Sequence, residues 1–559
     1  MAWTRWVLLA AMAAILGVPL VMRGASARGV KGASSRVIII TPHVRQISEE
    51  FGAAFAAWHE REYGETVEVD WRGPLGTSEI IKLLQAQYAA AIRRGDIRAD
   101  GTCEPGAIGF DIMFGGGSFD HRRLKDPKNA SAEVVVGGER VRVSVPMSEP
   151  LGMDPVALKR WFEEPPEGLS GEPLAAWAAA PARVGVEDLY DGEQYWVATA
   201  LSSFGLLYNG GVLEELGVPA PETWEGLTHA GLAGMVALAD PRQSGSLATA
   251  LEMILNAAAW REAVASGFDD EIAEPGWSGR AVGSHPGAME RAWWHGWRTL
   301  RELTANARYY ANSSTKPPID VSHGEAAAAL AIDFYGKSQA AAVNRAGDER
   351  VRYVDPISQT SFDPDPISVL RGGPNPEIAR RFVAFCLTEE AQAMWVFPPR
   401  ERGGGSAGLG PSRHELHRMP VVKGMYEKYG PALMGSVNPF EVAPRAKPVG
   451  WRDGLMVMFP AFSVDVKREQ GRAWRALNGM RARVRGGGAF DAERAREAEA
   501  LFYSFPVTVM PDGAELEFTP ENFSAIAGAW RDADFRRRCR LSYTAYFRGA
   551  YARVVELCR

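Results

Sequence analysis

A strand–helix–strand–helix–strand pattern near the start of the sequence most constrains the fold. The segment RVIIITPH (residues 36–43) is a continuous apolar run, typical of a strand that is buried on both faces. Two further runs, ETVEVDW (65–71) and FDIMFGG (110–116), also predict strands, and the stretches between them have the spacing of amphipathic helices. This alternation predicts an α/β fold with a parallel sheet.

Several polar residues follow the predicted strands directly. Parallel strands bring their carboxyl ends to one edge of the sheet, where α/β proteins bind ligands. His43 follows the first strand at that edge, and a loop histidine that caps a helix is the alternative interpretation. Thr77 and Ser78 lie at a predicted helix start in PLGTSEII, either of them as the N-cap. Free N–H groups and the dipole of such a helix end suit an anion, although ordinary capping also accounts for these residues.

Two later segments repeat this arrangement. Ser203 lies in a predicted turn after residue 200. In SGSLATALEMI, Ser244, Gly245 and Ser246 stand at the start of a helix that follows a strand and a polar loop. Three such positions in one α/β fold favour a binding site for a phosphate, a carboxylate or another anion.

The stretch AALAIDFYG (residues 328–336) changes abruptly from small apolar residues to an acid and two aromatic residues. It predicts a buried strand that ends at Asp333 and Tyr335. These two side chains are candidates for ligand binding, and a structural cap at the strand end is the alternative.

The N-terminus predicts export. Arg5 precedes an apolar run over residues 7–22, and Ala25-Ser26-Ala27 has the A-x-A pattern of a signal peptidase site. Cleavage after residue 27 removes two arginines and changes the formal net charge from −6 to −8. This charge does not favour nucleic acid as a partner. An uncleaved N-terminal anchor remains the alternative.

Motifs for catalysis are missing. The sequence has no complete Walker A motif and no H-E-x-x-H, and its four cysteines form no C-x-x-C. We therefore expect no enzymatic activity and no cofactor. An exported hydrolase stays open, because a pair of catalytic carboxylates has no local signature. Whether Cys539 and Cys558 form a disulfide is also left open.

Several segments together resemble the extracellular solute-binding proteins of ABC importers, in the branch with iron(III)-, phosphonate- and thiamine-binding members. They occur in the order of that family, over about residues 36–425: IIITPH, DWRGPLGTSEIIKLL, DIMFGGG, SSFGLLYN, ALADPRQSGS, GEAAAALAIDFY, DPISVLRGGPNPEIARRFVAFCLTEEAQAMW and LHRMPV.

The resemblance implies a two-lobed α/β fold of the periplasmic-binding-protein type II, with crossing strands near residues 204–209 and 354–358. The implied organisation is a signal peptide (1–27), a first lobe with inserts (36–203 and 359–430), a second lobe (204–358) and a mainly helical C-terminal extension (431–559). It further implies a periplasmic monomer that binds a small molecule or ion in the interlobe cleft and delivers it to a membrane permease.

The iron-binding pattern of this family is incomplete here. Iron-binding members use an early histidine, a glutamate after the third strand and two adjacent tyrosines. His43 and Tyr335 match, but residues 115–117 are glycines and Phe334 stands in place of one tyrosine. The resemblance therefore favours an anionic solute of the phosphate or phosphonate kind, with Asp333 facing a cationic group of that solute. Iron(III) held by His43 and Tyr335 is the alternative, as is a receptor that presents its ligand to a sensor.

Overall fold

The structure is a computed structural model. It describes residues 35–559 except 74–75, 99, 274–283, 346, 348, 357–358, 403–407, 431–432, 435–436, 444–449 and 488–490. The predicted signal peptide lies outside the described residues, as does the end of the segment predicted to cross at residues 354–358.

The strands form one large mixed sheet and three two-stranded ribbons. They are β1 Ser35–Ile40, β2 Val67–Arg72, β3 Ile112–Phe114, β4 Ser131–Val136, β5 Glu139–Ser144, β6 Arg183–Val184, β7 Glu187–Asp188, β8 Val197–Asn209, β9 Val236–Ala239, β10 Ala307–Ala311, β11 Ala328–Ile332, β12 Val351–Val354, β13 Phe362–Val369, β14 Thr508–Val509 and β15 Glu515–Leu516.

The α-helices of the described residues cover both faces of the large sheet and make up most of the C-terminal region. They are α1 Arg45–Tyr63, α2 Thr77–Arg94, α3 Ser118–Lys125, α4 Pro155–Arg160, α5 Gly171–Ala179, α6 Gly210–Leu216, α7 Gly245–Ser266, α8 Asp269–Ala273, α9 Pro286–Ala305, α10 Lys316–Ser322, α11 Asp333–Asn344, α12 Pro376–Cys386, α13 Glu389–Val396, α14 Lys423–Tyr429, α15 Pro439–Val442, α16 Arg452–Phe462, α17 Lys467–Arg485, α18 Ala492–Tyr503, α19 Pro520–Ala529 and α20 Ala533–Leu557.

The large sheet joins two parallel sets of strands through antiparallel neighbours. Its order is β10-β9-β11-β8-β13-β3-β1-β2, with β12 also paired to β8. Strands β1, β2 and β3 are parallel, as predicted, and so are β9, β10 and β11. The sheet therefore has two sets of carboxyl-terminal strand ends, one in each half of the molecule.

Strands β8 and β13 connect the two halves. The thirteen residues of β8 are all buried. The first part of β8 pairs antiparallel with β13, and its last part pairs with β11 and β12. At its other edge β13 pairs with β3. These two strands are the crossing strands of a two-lobed α/β fold, and the predicted fold class is confirmed.

Each half has its own hydrophobic core. In the first half, Phe51, Phe114 and Trp395 are fully buried, and the rings of Phe51 and Trp395 lie 4.3 Å apart. In the second half, Trp293 and Trp297 on α9 face inward. We use "first half" and "second half" below for these two units, and their exact division into domains remains a proposal.

The C-terminal helices share the core of the second half. Trp451, Phe518 and Tyr551 belong to the same buried cluster as Trp293, and the rings of Trp451 and Trp293 lie 4.9 Å apart. This region is mainly helical, as predicted, and its apolar faces are buried against α7 and α9. Among the described residues, none of the helices is both long and apolar enough to cross a membrane.

The structure settles two local points that the sequence left open or assigned differently: the N-cap of α2 and the state of Cys539 and Cys558. Helix α2 begins at Thr77, so its N-cap is Gly76 rather than Thr77 or Ser78, and the N3 side chain of Glu79 accepts from the Gly76 N–H. Cys539 and Cys558 are free, buried thiols. They lie near the two ends of α20, and a rise of 1.5 Å per residue separates them by roughly 28 Å, far beyond disulfide distance.

Candidate functional site

The strand ends of both halves bring polar residues to the place where the halves meet. Thr41 and His43 follow β1, the glycines at 115–117 follow β3, and Asp333 follows β11. We call the cluster formed by His43, Asp365, Arg418, Phe334 and Asp333 the junction site. The first three of these residues belong to the first half and the last two to the second.

Asp365 on β13 is the centre of the first-half side. Its side chain is 6% exposed, and its Oδ1 accepts from the Gly116 N–H at 2.7 Å. Its Oδ2 lies 2.9 Å from Nε2 of His43 and also contacts Nη1 of Arg418. Three donors therefore surround this buried carboxylate, which is the arrangement that makes a buried charge tolerable.

His43 is neutral in this setting. Burial, reinforced by Arg418, holds the pKa of His43 well below its usual value. Because an ionised carboxylate only accepts hydrogen bonds, Nε2 of His43 carries the proton that faces Asp365. Nδ1 is buried without a hydrogen-bond partner among the described residues. The ring edge packs on Phe114, with 4.6 Å between the ring centres.

Arg418 reaches from the first half to the second. Its guanidinium carbon lies 3.9 Å from the centre of the Phe334 ring and 5.5 Å from that of the Trp395 ring, and it forms an ion pair with Asp365. The side chain is 2% exposed, and Nε has no hydrogen-bond partner among the described residues. Burial lowers the pKa of Arg418 to about 10, so that it is still a cation at neutral pH.

Asp333 opens α11 and is fully buried. Neither of its carboxylate oxygens makes a hydrogen bond of ordinary geometry to a described residue. Lys337 approaches one of them at 3.9 Å, and Arg418 is near enough to influence it. Burial raises the pKa of Asp333 to about 7. An acceptor of this kind, without a protein partner, is rare in a folded core and calls for an occupant.

A second polar group lies beside Asp333. The hydroxyl of Ser203 donates to Asp355 at 2.6 Å, and Tyr353 donates to the same oxygen at 2.9 Å. Asp355 and Asp333 repel each other, which helps to raise the pKa of Asp333. Ser203 lies inside β8 and not in a turn, so the turn predicted after residue 200 is wrong. The residue is fully buried, and its hydroxyl is engaged by protein groups.

The aromatic pair after β11 has two different roles. Phe334 is 5% exposed and faces Arg418, whereas Tyr335 is half-buried. The two rings lie 4.2 Å apart. Burial raises the pKa of the Tyr335 hydroxyl, an effect that the nearby Arg418 opposes.

The predicted helix-start residues are placed at the strand ends, but at the margin of the junction site. Thr77 and Ser78 are half-buried on the first turn of α2, and an added methyl at Gly116 would come within 2.9 Å of Thr77. Ser244 is the N-cap of α7, and its hydroxyl accepts from the Leu247 N–H.

The other two residues of that loop differ in exposure. Gly245 is exposed, and Ser246 lines a small, mainly apolar pocket together with Ser314, Leu330 and Ile332. Since Ile332 precedes Asp333, this pocket adjoins the junction site from the second half.

The structure thus brings His43, Asp333 and Tyr335 around Arg418 and places Ser203 beside them. Thr77, Ser78, Gly245 and Ser246 stay nearby with their backbone groups at helix starts, and Ser244 is used for capping. The binding role of all nine residues remains a proposal.

Sequence reasoning missed Arg418 and Asp365. Both contacts join segments that are distant in the chain, so no local spacing reveals them. A weak signal exists, since DPDP places two acids inside an otherwise apolar strand and HRMPVV places an arginine directly before an apolar run. Charged residues in such surroundings are buried only when they are paired.

The site contains charged and hydrogen-bonding groups but no cluster typical of a metal centre. No group of three or more His, Cys, Asp or Glu side chains among the described residues is arranged to hold a metal ion. A buried cation, a carboxyl group without a partner and an aromatic face suit the recognition of a small polar solute.

Comparison with known families gives a match over part of the chain. Residues 172–400, which contain both crossing strands, match the family model "Bacterial extracellular solute-binding protein". The resemblance to extracellular solute-binding proteins that the sequence predicted is confirmed over this segment. A curated relative from Haemophilus influenzae, an uncharacterized protein, is 24% identical over 227 residues, which are 39% of this chain and 53% of the relative. The chain thus matches about half of the relative's length.

Solved structures of periplasmic binding proteins are also similar to this chain. The protein AfuA from Actinobacillus pleuropneumoniae, with fructose-6-phosphate bound, has 15% identity and a TM-score of 0.41, and the alignment covers 79% of this chain and 98% of AfuA. Iron-bound HitA from Pseudomonas aeruginosa has 14% identity and a TM-score of 0.42, with 76% and 98% covered.

Proposed function

We propose that this protein is a periplasmic solute-binding protein that captures a small anionic solute between its two halves and delivers it to an ABC-type permease. The observation that carries the proposal is Arg418. It is a buried cation at the junction of the halves, held by Asp365 and the Phe334 ring, and its Nε is free to donate. An anionic group of the solute, such as a phosphate or phosphonate, is the partner that this guanidinium lacks.

Asp333 supports a solute that also carries a hydrogen-bond donor. Its two oxygens have no ordinary hydrogen bond to a described residue, and Asp333 belongs to the second half whereas Asp365 belongs to the first. A hydroxyl or ammonium group of the solute supplies the missing donor. The solute that fits is therefore small, anionic at one end and a hydrogen-bond donor at the other.

The same geometry disfavours iron(III), the alternative ligand. His43 directs its Nε2 proton at Asp365, so only Nδ1, which is buried without a partner among the described residues, keeps a lone pair for a metal. The guanidinium of Arg418 lies between the His43–Asp365 pair and the Phe334–Tyr335 pair. A trivalent cation bound between these two pairs would be repelled by this buried positive charge. Neither Phe334 nor the glycines at residues 115–117 have a side-chain oxygen that could bind the metal.

A thermal-shift screen of the full chain tests the ligand class. The panel is inorganic phosphate, methylphosphonate, 2-aminoethylphosphonate, spermidine and iron(III) citrate. A solute at a hundred times its Kd stabilises the folded protein by about 2.7 kcal/mol, so we expect a clear rise in Tm with at least one phosphate or phosphonate. A rise with iron(III) citrate alone, accompanied by a visible charge-transfer band, would favour the iron alternative.

Export, the permease and the lack of catalysis belong to the same proposal. The family match concerns bacterial extracellular proteins, and an extracellular solute-binding protein works with a membrane permease rather than as an enzyme. A receptor that presents the solute to a sensor, or an exported hydrolase, is the alternative. Pull-down of the purified protein by reconstituted permease from the same operon, dependent on solute, separates the importer from both.

A further inference from the structure

The C-terminal extension sends one side chain across to the first half. Arg452 is the first residue of α16, which packs on α7 in the second half. Its guanidinium carbon lies 5.3 Å from the centre of the Phe119 ring, which belongs to α3 of the first half. Its Nη1 pairs with Glu252 on α7 and lies 3.4 Å from the Thr249 hydroxyl.

The groups around this contact are complementary in charge. Asp120 on α3 and Asp363 on the crossing strand β13 both lie within the electrostatic reach of Arg452. Ser118, at the start of α3, donates to Asp363 at 3.3 Å and so fixes α3 to the crossing strand. Arg452 therefore faces two acids of the first half, which also lie near Arg122 and Arg123 of α3, while Glu252 orients it from the second half.

Phe119 has no role in the core of the first half. It is 51% exposed although it is a large aromatic residue, and the next turn of α3 is anchored by the buried Leu124. An aromatic ring exposed on one half and covered by a cation from the other gains stability mainly when the two halves are together.

We propose that the C-terminal extension acts as a strap: through Arg452 it holds α3 of the first half against the second half and favours the closed arrangement of the two halves. The role concerns the protein without solute and does not depend on the ligand proposed above. Arg452 is a positioning residue, since it acts on the relative placement of the halves that form the junction site.

The distance between the halves tests this proposal directly. Spin labels at Lys82→Cys on α2 and Ala265→Cys on α7 are exposed, one on each half, and Cys103→Ser removes the one native thiol that is not fully buried. Pulsed dipolar spectroscopy of the full chain without added solute then gives the open and closed populations.

We expect Arg452→Gln to raise the ratio of open to closed molecules by roughly two- to thirtyfold, the range for losing a cation–π contact of about 0.5–2 kcal/mol. Phe119→Ala should shift the ratio in the same direction without touching the core, and it serves as the second variant if Arg452→Gln folds poorly. Arg452→Lys, which keeps a cation over the ring, should restore part of the closed population.

The matched control is Arg298→Gln. Arg298 also combines an aromatic contact, 4.5 Å from Tyr503, with an ion pair to Glu302, but all three residues belong to the second half and its extension. We expect it to leave the ratio within about twofold of the wild type. Unchanged populations in both Arg452→Gln and Phe119→Ala would overturn the proposal, as would an equal opening in Arg298→Gln.

Discussion

Two arginines among the described residues are buried, and their surroundings differ. Arg301, on α9 in the second half, is 1% exposed and lies within 4.5–4.7 Å of the rings of Phe462, Phe505 and Phe547. Its guanidinium donates to the carbonyl oxygens of Phe502 and Ser504. Arg418 is as deeply buried, but it faces the rings of Phe334 and Trp395 and the carboxylate of Asp365. Across the junction it faces a second acid, Asp333, which has no hydrogen bond to a described residue.

The difference separates a structural arginine from a binding arginine. Arg301 ties the C-terminal helices to α9 through neutral partners from that region, so its charge is stabilised by the fold itself. Nε of Arg301, like Nε of Arg418, has no hydrogen-bond partner among the described residues, so the difference lies in Asp333. This acid faces Arg418 from the other half, and neither of its oxygens has an ordinary hydrogen bond to a described residue. Burial of a charged side chain therefore does not by itself identify a site. A buried cation that faces a buried acid without a hydrogen-bond donor is a stronger indication.

The largest effect is expected at Arg418. Arg418→Met leaves the buried Asp365 without its cation, which should lower the free energy of unfolding by about 3–5 kcal/mol. Adding Asp365→Asn removes the uncompensated charge and should restore most of that stability in urea titrations, without restoring solute binding. A double variant that binds phosphate or phosphonate as the wild type does would show that Arg418 is structural, like Arg301.

Asp333→Asn should change the dependence of stability on pH. The pKa of Asp333 is raised to about 7 from an ordinary value of 3.8, so the unfolded chain loses this proton first and the side chain destabilises the fold progressively from about pH 4 to pH 7. Above pH 7 the penalty reaches about 4 kcal/mol. The variant should therefore be more stable than the wild type at pH 8 and equally stable at pH 4.

The quantity to measure is the difference in the free energy of unfolding between the wild type and Asp333→Asn at each pH. Burial raises the pKa of Asp363 to about 7 and lowers that of His121 to about 4. Both groups therefore also contribute to the pH dependence of the free energy of unfolding of the wild type. These contributions cancel when Asp333→Asn is subtracted from the wild type. A difference that is flat from pH 4 to pH 8 would mean that Asp333 has partners in solution.

Arg301→Met should act on stability alone. The loss of the aromatic contacts and of two hydrogen bonds to carbonyl oxygens should lower the free energy of unfolding by about 2–3 kcal/mol. The affinity for a solute found in the thermal-shift screen should stay within about threefold of the wild type in calorimetry. A large loss of affinity with normal stability would remove the distinction between the two arginines.

Phe334→Tyr should have the smallest effect. It restores the adjacent tyrosine pair of iron-binding relatives, but Arg418 still covers the ring. We expect the free energy of unfolding to change by less than about 1 kcal/mol and no absorption band to appear with iron(III) citrate. A strong band in the variant would show that the aromatic residue, and not the cation, excludes the metal.

The sequence predicted the parts of this fold that depend on local pattern. The apolar run before His43 and the abrupt end of the run before Asp333 located two strand ends that meet at the junction, because a buried strand must stop where polar residues begin.

The parts of the site that the sequence did not predict depend on contacts between segments that are distant in the chain. Arg418 meets Asp365 and Phe334 only because β13, α11 and the chain after α13 converge in space. The N-cap of α2 was assigned one or two residues late, since Gly76, Thr77 and Ser78 all suit that position. The separation of Cys539 and Cys558 along a single helix became evident once α20 was seen to be continuous.

Calorimetric titration of inorganic phosphate and methylphosphonate into the wild type and into the Arg418→Met/Asp365→Asn variant tests the central claim most directly. We predict saturable binding of at least one of the two by the wild type, and a loss of at least a hundredfold in affinity for the folded variant, as expected when a charge-assisted contact of about 3 kcal/mol is removed. Equal affinities in the two proteins, or heat released in neither, would contradict an anion-binding role for Arg418.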